Sequence, residues 1–150
     1  MTSLDWMSQP QPFRFTARIR YIDTDASGRI HYTAMFRYFE SAEIEFLRTL
    51  DFTYGKGHYA FPRVHMECDF MLSIVHDDLI EIEVCLTKLG RSSIRFEFRA
   101  FKEGDLAAKG AVVIVCMDRR TQRAASIPND LRARLATVLS NSAEPAVIGG

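Results

Sequence analysis

Apolar and polar positions alternate with a period of two along most of the chain and with a helical period in one long stretch. Phe13, Phe15, Ala17, Ile19 and Tyr21 alternate with Arg14, Thr16, Arg18 and Arg20, which predicts a strand with one buried face. The period then changes. Met35, Phe39, Ala42, Phe46 and Leu50 recur at three- and four-residue steps, the stripe of an amphipathic helix with Thr33 as its N-cap. Glu40, Glu43 and Glu45 fall mostly off that stripe. Residues 51–59 read as a loop, because Gly55-Lys56-Gly57 breaks regular structure.

A second strand begins at Pro62, with Val64, Met66, Cys68, Phe70, Leu72 and Ile74 on one face, and His76-Asp77-Asp78 turns the chain. Ile80, Ile82, Val84 and Leu86 form the buried face of a third strand, and Leu89-Gly90-Arg91 is the next turn. Ile94, Phe96, Phe98 and Ala100 define a fourth strand, followed by a hairpin signal at Glu103-Gly104-Asp105. Residues 111–117 are apolar on both faces, as in a strand covered from both sides. A short helix is expected after Pro128, from Asn129 or Asp130 to Leu139, and the segments 1–12 and 140–150 are expected to be flexible tails.

The order is strand, long helix, then four strands joined by short hairpins. This predicts an α+β fold in which a five-stranded antiparallel sheet wraps one long helix, with residues 1–150 as a single domain. Met71, Val75 and Phe101 fall on the sheet's other face, where a lone protomer would expose them, which suggests an interface between copies.

Composition narrows the function classes. Lys+Arg and Asp+Glu are equal at 19 each, so the basic excess of a general nucleic-acid binder or anionic-membrane binder is missing. Cys68, Cys85 and Cys116 form no C-x-x-C pair and sit in apolar segments, which fits small core residues in a reducing cytoplasm. Residues 1–12 carry no apolar h-region of a signal peptide, and no apolar run is long enough to insert in a membrane. His58, His65 and His76 lack partners at metal-ligand spacing, and no G-x-S-x-G elbow is present, so neither a metal nor a serine nucleophile is expected.

Chemistry concentrates before the long helix. Asp23-Thr24-Asp25-Ala26-Ser27-Gly28 is an acidic turn in which Gly28 eases a sharp bend, and Asp23 suits the structural role of accepting backbone N–H bonds. Asp25 lies just ahead of a helix N-terminus, where unpaired N–H groups and the dipole favour negative charge. A carboxylate beside such amides suits acyl transfer: it attacks a carbonyl or activates water while the amides hold the oxyanion.

This turn, followed by His31-Tyr32, Phe36 and Tyr38-Phe39-Glu40, resembles the signature of hot-dog-fold acyl-CoA thioesterases, specifically the 4-hydroxybenzoyl-CoA thioesterase family with the Tol-Pal-associated acyl-CoA thioesterases. The resemblance runs from about Phe13 to about Leu135. It implies a hot-dog fold, with Asp25 as the catalytic carboxylate and the backbone N–H of Tyr32 as oxyanion donor. Many relatives have Tyr-His where this chain has His31-Tyr32, so His31 enters as a further catalytic candidate by position alone. Some hot-dog thioesterases use a helix glutamate, which brings in Glu40. Gly28 is a candidate for close approach to substrate. Lys88 and Arg91 are candidates for the coenzyme A phosphates, in a turn where the aromatic-acyl relatives are more basic and this chain has Gly90 and Ser92.

The implied reaction is hydrolysis of an aromatic or short-chain acyl-CoA, with no cofactor beyond the coenzyme A of the substrate. The implied assembly is a homodimer, with sheets joined edge to edge, that pairs into a homotetramer. Two alternatives stand beside it. A hot-dog enoyl-CoA hydratase or dehydratase would place an Asp and a His on one loop, but its spacing differs and its Asn-Pro pair is missing from this loop. A non-catalytic acyl-CoA-binding module would have no use for Asp25.

Overall fold

The computed structural model describes residues 12–140, so most of both expected tails lies outside the described residues. Strand β1 (Phe13–Arg18) leads into a single 3-10 turn (Tyr21–Asp23) and then helix α1 (Ala34–Arg48). After α1 come β2 (Tyr59–Ala60), β3 (Arg63–Phe70), β4 (Leu79–Leu89), β5 (Ser93–Lys102) and β6 (Asp105–Val115). The short strands β7 (Met117–Asp118) and β8 (Arg123–Ala124) and the helix α2 (Asn129–Ala136) complete the order.

The main sheet has five antiparallel strands in the order β1-β4-β5-β6-β3. Its inner face carries Ile80, Ile82, Val84, Leu86, Phe96, Phe98 and Ala100, and these close over Met35, Phe39, Ala42 and Phe46 of α1 in one core. Phe39 stacks on Phe98 with ring centroids 4.7 Å apart, an arrangement worth about 1 kcal/mol beyond the area it buries. Gly110 of β6 makes room for that stack. A Cβ there would lie 2.6 Å from the Phe39 ring and 2.5 Å from the Glu67 carbonyl oxygen.

The α+β reading and the helical stripe agree with the structure, while several local expectations give way. Consecutive hairpins join β4, β5 and β6, but β3 pairs with β6 at the far edge instead of with β4. The cause is the segment 71–78, which is held away from a hairpin path. Met71 and Leu72 donate to the Ala107 carbonyl, Ile74 is buried, and the Ile74 carbonyl accepts from Ile30. The strand expected from Pro62 to Ile74 accordingly ends at Phe70, and its apolar residues Val64, Met66 and Phe70 are exposed at the sheet edge.

The strand expected at 111–117 begins six positions earlier, at Asp105, and α2 ends at Ala136 instead of Leu139. The first strand stops at Arg18, so Tyr21 sits in the 3-10 turn and faces solvent. Of the side chains expected exposed on the outer face, Met71 and Val75 are so, whereas Phe101 is half-buried under the guanidinium groups of Arg14 and Arg99.

Glu43 is the clearest departure. It belongs to the buried face of α1 and is 0% exposed. Thr33 precedes the helix as expected but makes no side-chain capping bond; its hydroxyl lies 2.7 Å from His31 Nδ1. No helix of the described residues is long and apolar enough to cross a membrane.

Candidate active site

The acidic turn is built from its own backbone. The Asp25 N–H donates to the Arg29 carbonyl at 2.8 Å and Gly28 N–H donates back to the Asp25 carbonyl at 2.9 Å. Gly28 has φ 83°, a left-handed conformation that costs a side-chain-bearing residue energy, while the space around it is open. Glycine is thus required there for conformation, and crowding plays no part. Arg29 Nε bonds to the Ser73 hydroxyl and Arg29 bridges to Val75, which pins the turn to the segment following β3.

Within this turn the Asp25 carboxylate is exposed and directional. Oδ1 accepts both the Ser27 N–H at 2.8 Å and the Ser27 hydroxyl at 2.6 Å. Oδ2 has no hydrogen bond among the described residues. The Ser27 bonds, with a smaller electrostatic contribution from His31, hold this carboxyl below its ordinary value of 3.8. At neutral pH it is ionised, with one oxygen fixed and the other directed to solvent.

The loop reaches the helix through His31 and Tyr32. The His31 N–H donates to the Asp23 carbonyl at 2.8 Å and Ala34 N–H donates to the His31 carbonyl at 2.9 Å. His31 Nδ1 accepts the Thr33 N–H at 3.2 Å, so a neutral imidazole carries its proton on Nε2. His31, in place of Thr33, therefore caps this helix end. Its ring stacks on that of Tyr32, which is 69% exposed. Among the described residues the Tyr32 N–H donates no hydrogen bond, leaving it available beside the helix N-terminus.

Asp23 holds the loop to the helix by its side chain and not through the backbone N–H bonds expected of it. Its Oδ2 accepts the Tyr38 hydroxyl at 2.6 Å and its Oδ1 pairs with Arg37, both from the first turns of α1. The Tyr38 oxygen in turn accepts the Arg20 N–H at 3.0 Å. These bonds, the Tyr38 one foremost, keep the buried Asp23 carboxyl below its usual range. Tyr38 and Arg37 are positioning residues that periodicity did not single out; the sequence signal was the place of Tyr38 in the run Tyr38-Phe39-Glu40 that carries the family resemblance.

The remaining candidates lie elsewhere. Glu40 is half-exposed and pairs with Arg63 at 3.2 Å, on the flank of α1 that faces β3. Lys88 and Arg91 sit around the β4–β5 turn, at the end of the sheet where α1 finishes, opposite the Asp25 loop. The aromatic loop residues Phe52, Tyr54 and Phe61 pack against one another and line a narrow apolar cleft with Leu131 and Leu135. A groove of about 500 Å³ lies on the outer sheet face, lined by Glu67, Glu83, Arg95 and Arg99 among others, but no residue of the Asp25 loop lines it, and its wall carries the Arg99–Glu83 pair across two strands and the Arg95–Glu97 pair along β5. No group of three or more His, Cys, Asp or Glu among the described residues is arranged to hold a metal ion.

Residues 19–135 match the family model described as the thioesterase-like superfamily. The acyl-CoA thioesterase YbgC of Haemophilus influenzae is 29% identical over 125 residues, spanning 81% of this chain and 92% of its own. The 1,4-dihydroxy-2-naphthoyl-CoA hydrolase of Synechococcus elongatus is 26% identical over 125 residues, 80% of this chain and 92% of its own. A crystal structure of a hypothetical protein from Aquifex aeolicus superposes with a TM-score of 0.78 at 30% identity, covering 83% of this chain and 99% of that one.

Proposed function

The chain belongs to the thioesterase-like superfamily, and on that premise we propose that it hydrolyses acyl-CoA thioesters with Asp25 as the reacting carboxylate. The observation that carries this reading is the exposed, ionised Asp25, fixed through Oδ1 by Ser27 with Oδ2 open. The Tyr32 N–H at the start of α1 serves as the donor for the carbonyl oxygen as it gains charge. As nucleophile, Asp25 bonds to the thioester carbon, the C–S bond breaks, and water then opens the mixed anhydride. As base, it takes a proton from water whose oxygen bonds to that carbon, and the proton passes to the departing thiolate. Either route gives the free acid and coenzyme A.

An aromatic or short acyl group suits the site best. The stacked His31 and Tyr32 rings flank the loop, and a related enzyme is named for a naphthoyl-CoA. Two copies of the chain would pair through β3. That strand is a sheet edge, and it exposes Val64, Met66 and Phe70 beside Met71 and Leu72, an apolar edge that natural proteins cover. A further pairing to a tetramer and a cytoplasmic location complete the proposal; the latter fits the three thiols in apolar segments.

The test is release of free thiol from a panel of aroyl-, short- and long-chain acyl-CoA thioesters, with an enoyl-CoA hydration assay alongside. Turnover of aroyl or short acyl thioesters supports the reading. Hydration without thiol release, or saturable binding of acyl-CoA without either reaction, contradicts it.

A further inference from the structure

Asp25 is tied to Ser27 by two hydrogen bonds of different standing. The Ser27 N–H, 2.8 Å from Oδ1, closes the turn that an aspartate commonly makes with the backbone two residues on. Any residue except proline would supply that donor. The Ser27 hydroxyl, 2.6 Å from the same oxygen, is a second donor that the turn does not need. An ionised carboxylate only accepts, so the hydroxyl donates.

A second turn of the same chain shows the difference. Asp118 Oδ1 accepts the backbone N–H groups of Arg120 and Thr121 at 2.7 and 3.2 Å, and position 120 has no hydroxyl to add. Backbone donors alone make that turn. They lead among the influences that keep Asp118 ionised, whereas at Asp25 the Ser27 hydroxyl leads.

No other side chain among the described residues bonds to the Asp25 carboxylate. The neighbouring charged groups are engaged elsewhere: Asp23 with Tyr38 and Arg37, Arg29 with the Ser73 hydroxyl, and His31 with Thr33. Beyond the bridge from Arg29 to Val75, His76 meets the Tyr21 ring, Asp77 pairs with Arg18 and Asp78 pairs with Lys102. His31 adds some charge at Asp25, less than either Ser27 bond. A carboxylate pinned through one oxygen presents the other in a fixed direction, which attack on a carbonyl carbon or on water beside it requires.

We propose that Ser27 is a positioning residue for Asp25: its hydroxyl holds Oδ1 so that Oδ2 alone faces the thioester carbon or the attacking water. This rests on the hydrolase reading above.

The test compares wild type with Ser27→Ala and Ser27→Thr in the full chain. Ser27 is exposed and its φ is negative, so alanine fits the turn and the melting temperature should not move. The carbon NMR resonance of the Asp25 carboxyl, assigned by its absence in Asp25→Asn, reports the hold without any turnover. In Ser27→Ala its titration should move up toward the ordinary 3.8, and Ser27→Thr should bring it back. On an acyl-CoA that wild type cleaves, Ser27→Ala should lower kcat at neutral pH about tenfold, as loss of one hydrogen bond to a charged group implies. KM should stay within about twofold, the acid limb of kcat should follow the carboxyl titration, and Ser27→Thr should recover most of the rate.

An unmoved Asp25 titration in Ser27→Ala would overturn the assignment, as would an unchanged kcat. An acyl ester trapped on Ser27 and seen by mass spectrometry would overturn it too, since Ser27 would then be the nucleophile. A moved titration in a protein that cleaves no thioester would uphold the hold of Ser27 on Asp25 and refute the hydrolase reading.

Discussion

Helix α1 presents two carboxylate regions that differ in almost every physical respect. Asp25, just ahead of its N-terminus, is exposed, ionised and half-free, and is held by a neighbour two residues away. Glu43, deep in the same helix, is fully buried. Its Oε2 accepts the Tyr54 hydroxyl and Arg63 Nη2, the latter at 2.9 Å, while its Oε1 has no partner among the described residues. Burial raises the Glu43 pKa above the ordinary glutamate value of 4.5, against the pull of Arg63. The contrast separates reactivity from architecture. An acid that reacts with a substrate must meet it with a free lone pair. An acid that ties a loop, a strand and a helix together can be closed off from solvent.

The largest expected effect falls on the exposed member. Asp25→Asn should lower kcat for thioester hydrolysis by about a hundred- to ten-thousand-fold, while urea unfolding stays with wild type because the side chain is at the surface. Glu43→Ala should do the reverse. It strips the buried partner from Arg63 and Tyr54, at a cost of about 3 kcal/mol in urea unfolding, the low end for breaking a buried pair because Glu40 remains on Arg63.

Tyr38→Phe is intermediate. It removes one donor from buried Asp23 and the acceptor of the Arg20 N–H, costing about 1.5 kcal/mol. Because Asp23 fixes the loop, kcat should also fall several-fold, a loss that Glu43→Gln should not share. Gly28→Ala should cost about 1 kcal/mol, since only the left-handed backbone resists the methyl group.

The pH dependence sharpens the same comparison. The folded chain holds the Glu43 proton more tightly than the unfolded chain does. Its contribution to stability is therefore full below the ordinary value of 4.5 and is lost as pH rises through the raised value. Asp23 has the opposite sign: its contribution is present above 3.8 and is lost as pH falls through the lowered value. Melting temperatures between pH 4.5 and 8 should show Glu43→Gln gaining stability relative to wild type as pH rises.

What sequence made legible was whatever is local. The period of two gave β1, β4 and β5, the helical period gave α1, and the run from Asp23 to Gly28 marked the turn that carries Asp25. What stayed hidden depends on partners distant in the chain. Glu43 reads as a solvated helix acid until Arg63, twenty positions on, folds over it. The placement of β3 beside β6 is decided by where the segment 71–78 is anchored, and no alternation in β3 itself records that. Strands of two residues such as β7 and β8 are too short for any periodicity to mark. Tyr38 gave no sign that its hydroxyl would meet Asp23, because an aromatic beside a helix stripe is ordinarily core.

The most direct measurement is thiol release and thermal melting on Asp25→Asn and Glu43→Gln, prepared together with wild type and assayed on one acyl-CoA that wild type cleaves. Asp25→Asn should melt with wild type and have lost nearly all turnover, while Glu43→Gln should turn over normally with a shifted melt. Full turnover by Asp25→Asn, or its loss in a well-folded Glu43→Gln, would place the chemistry on the wrong carboxylate.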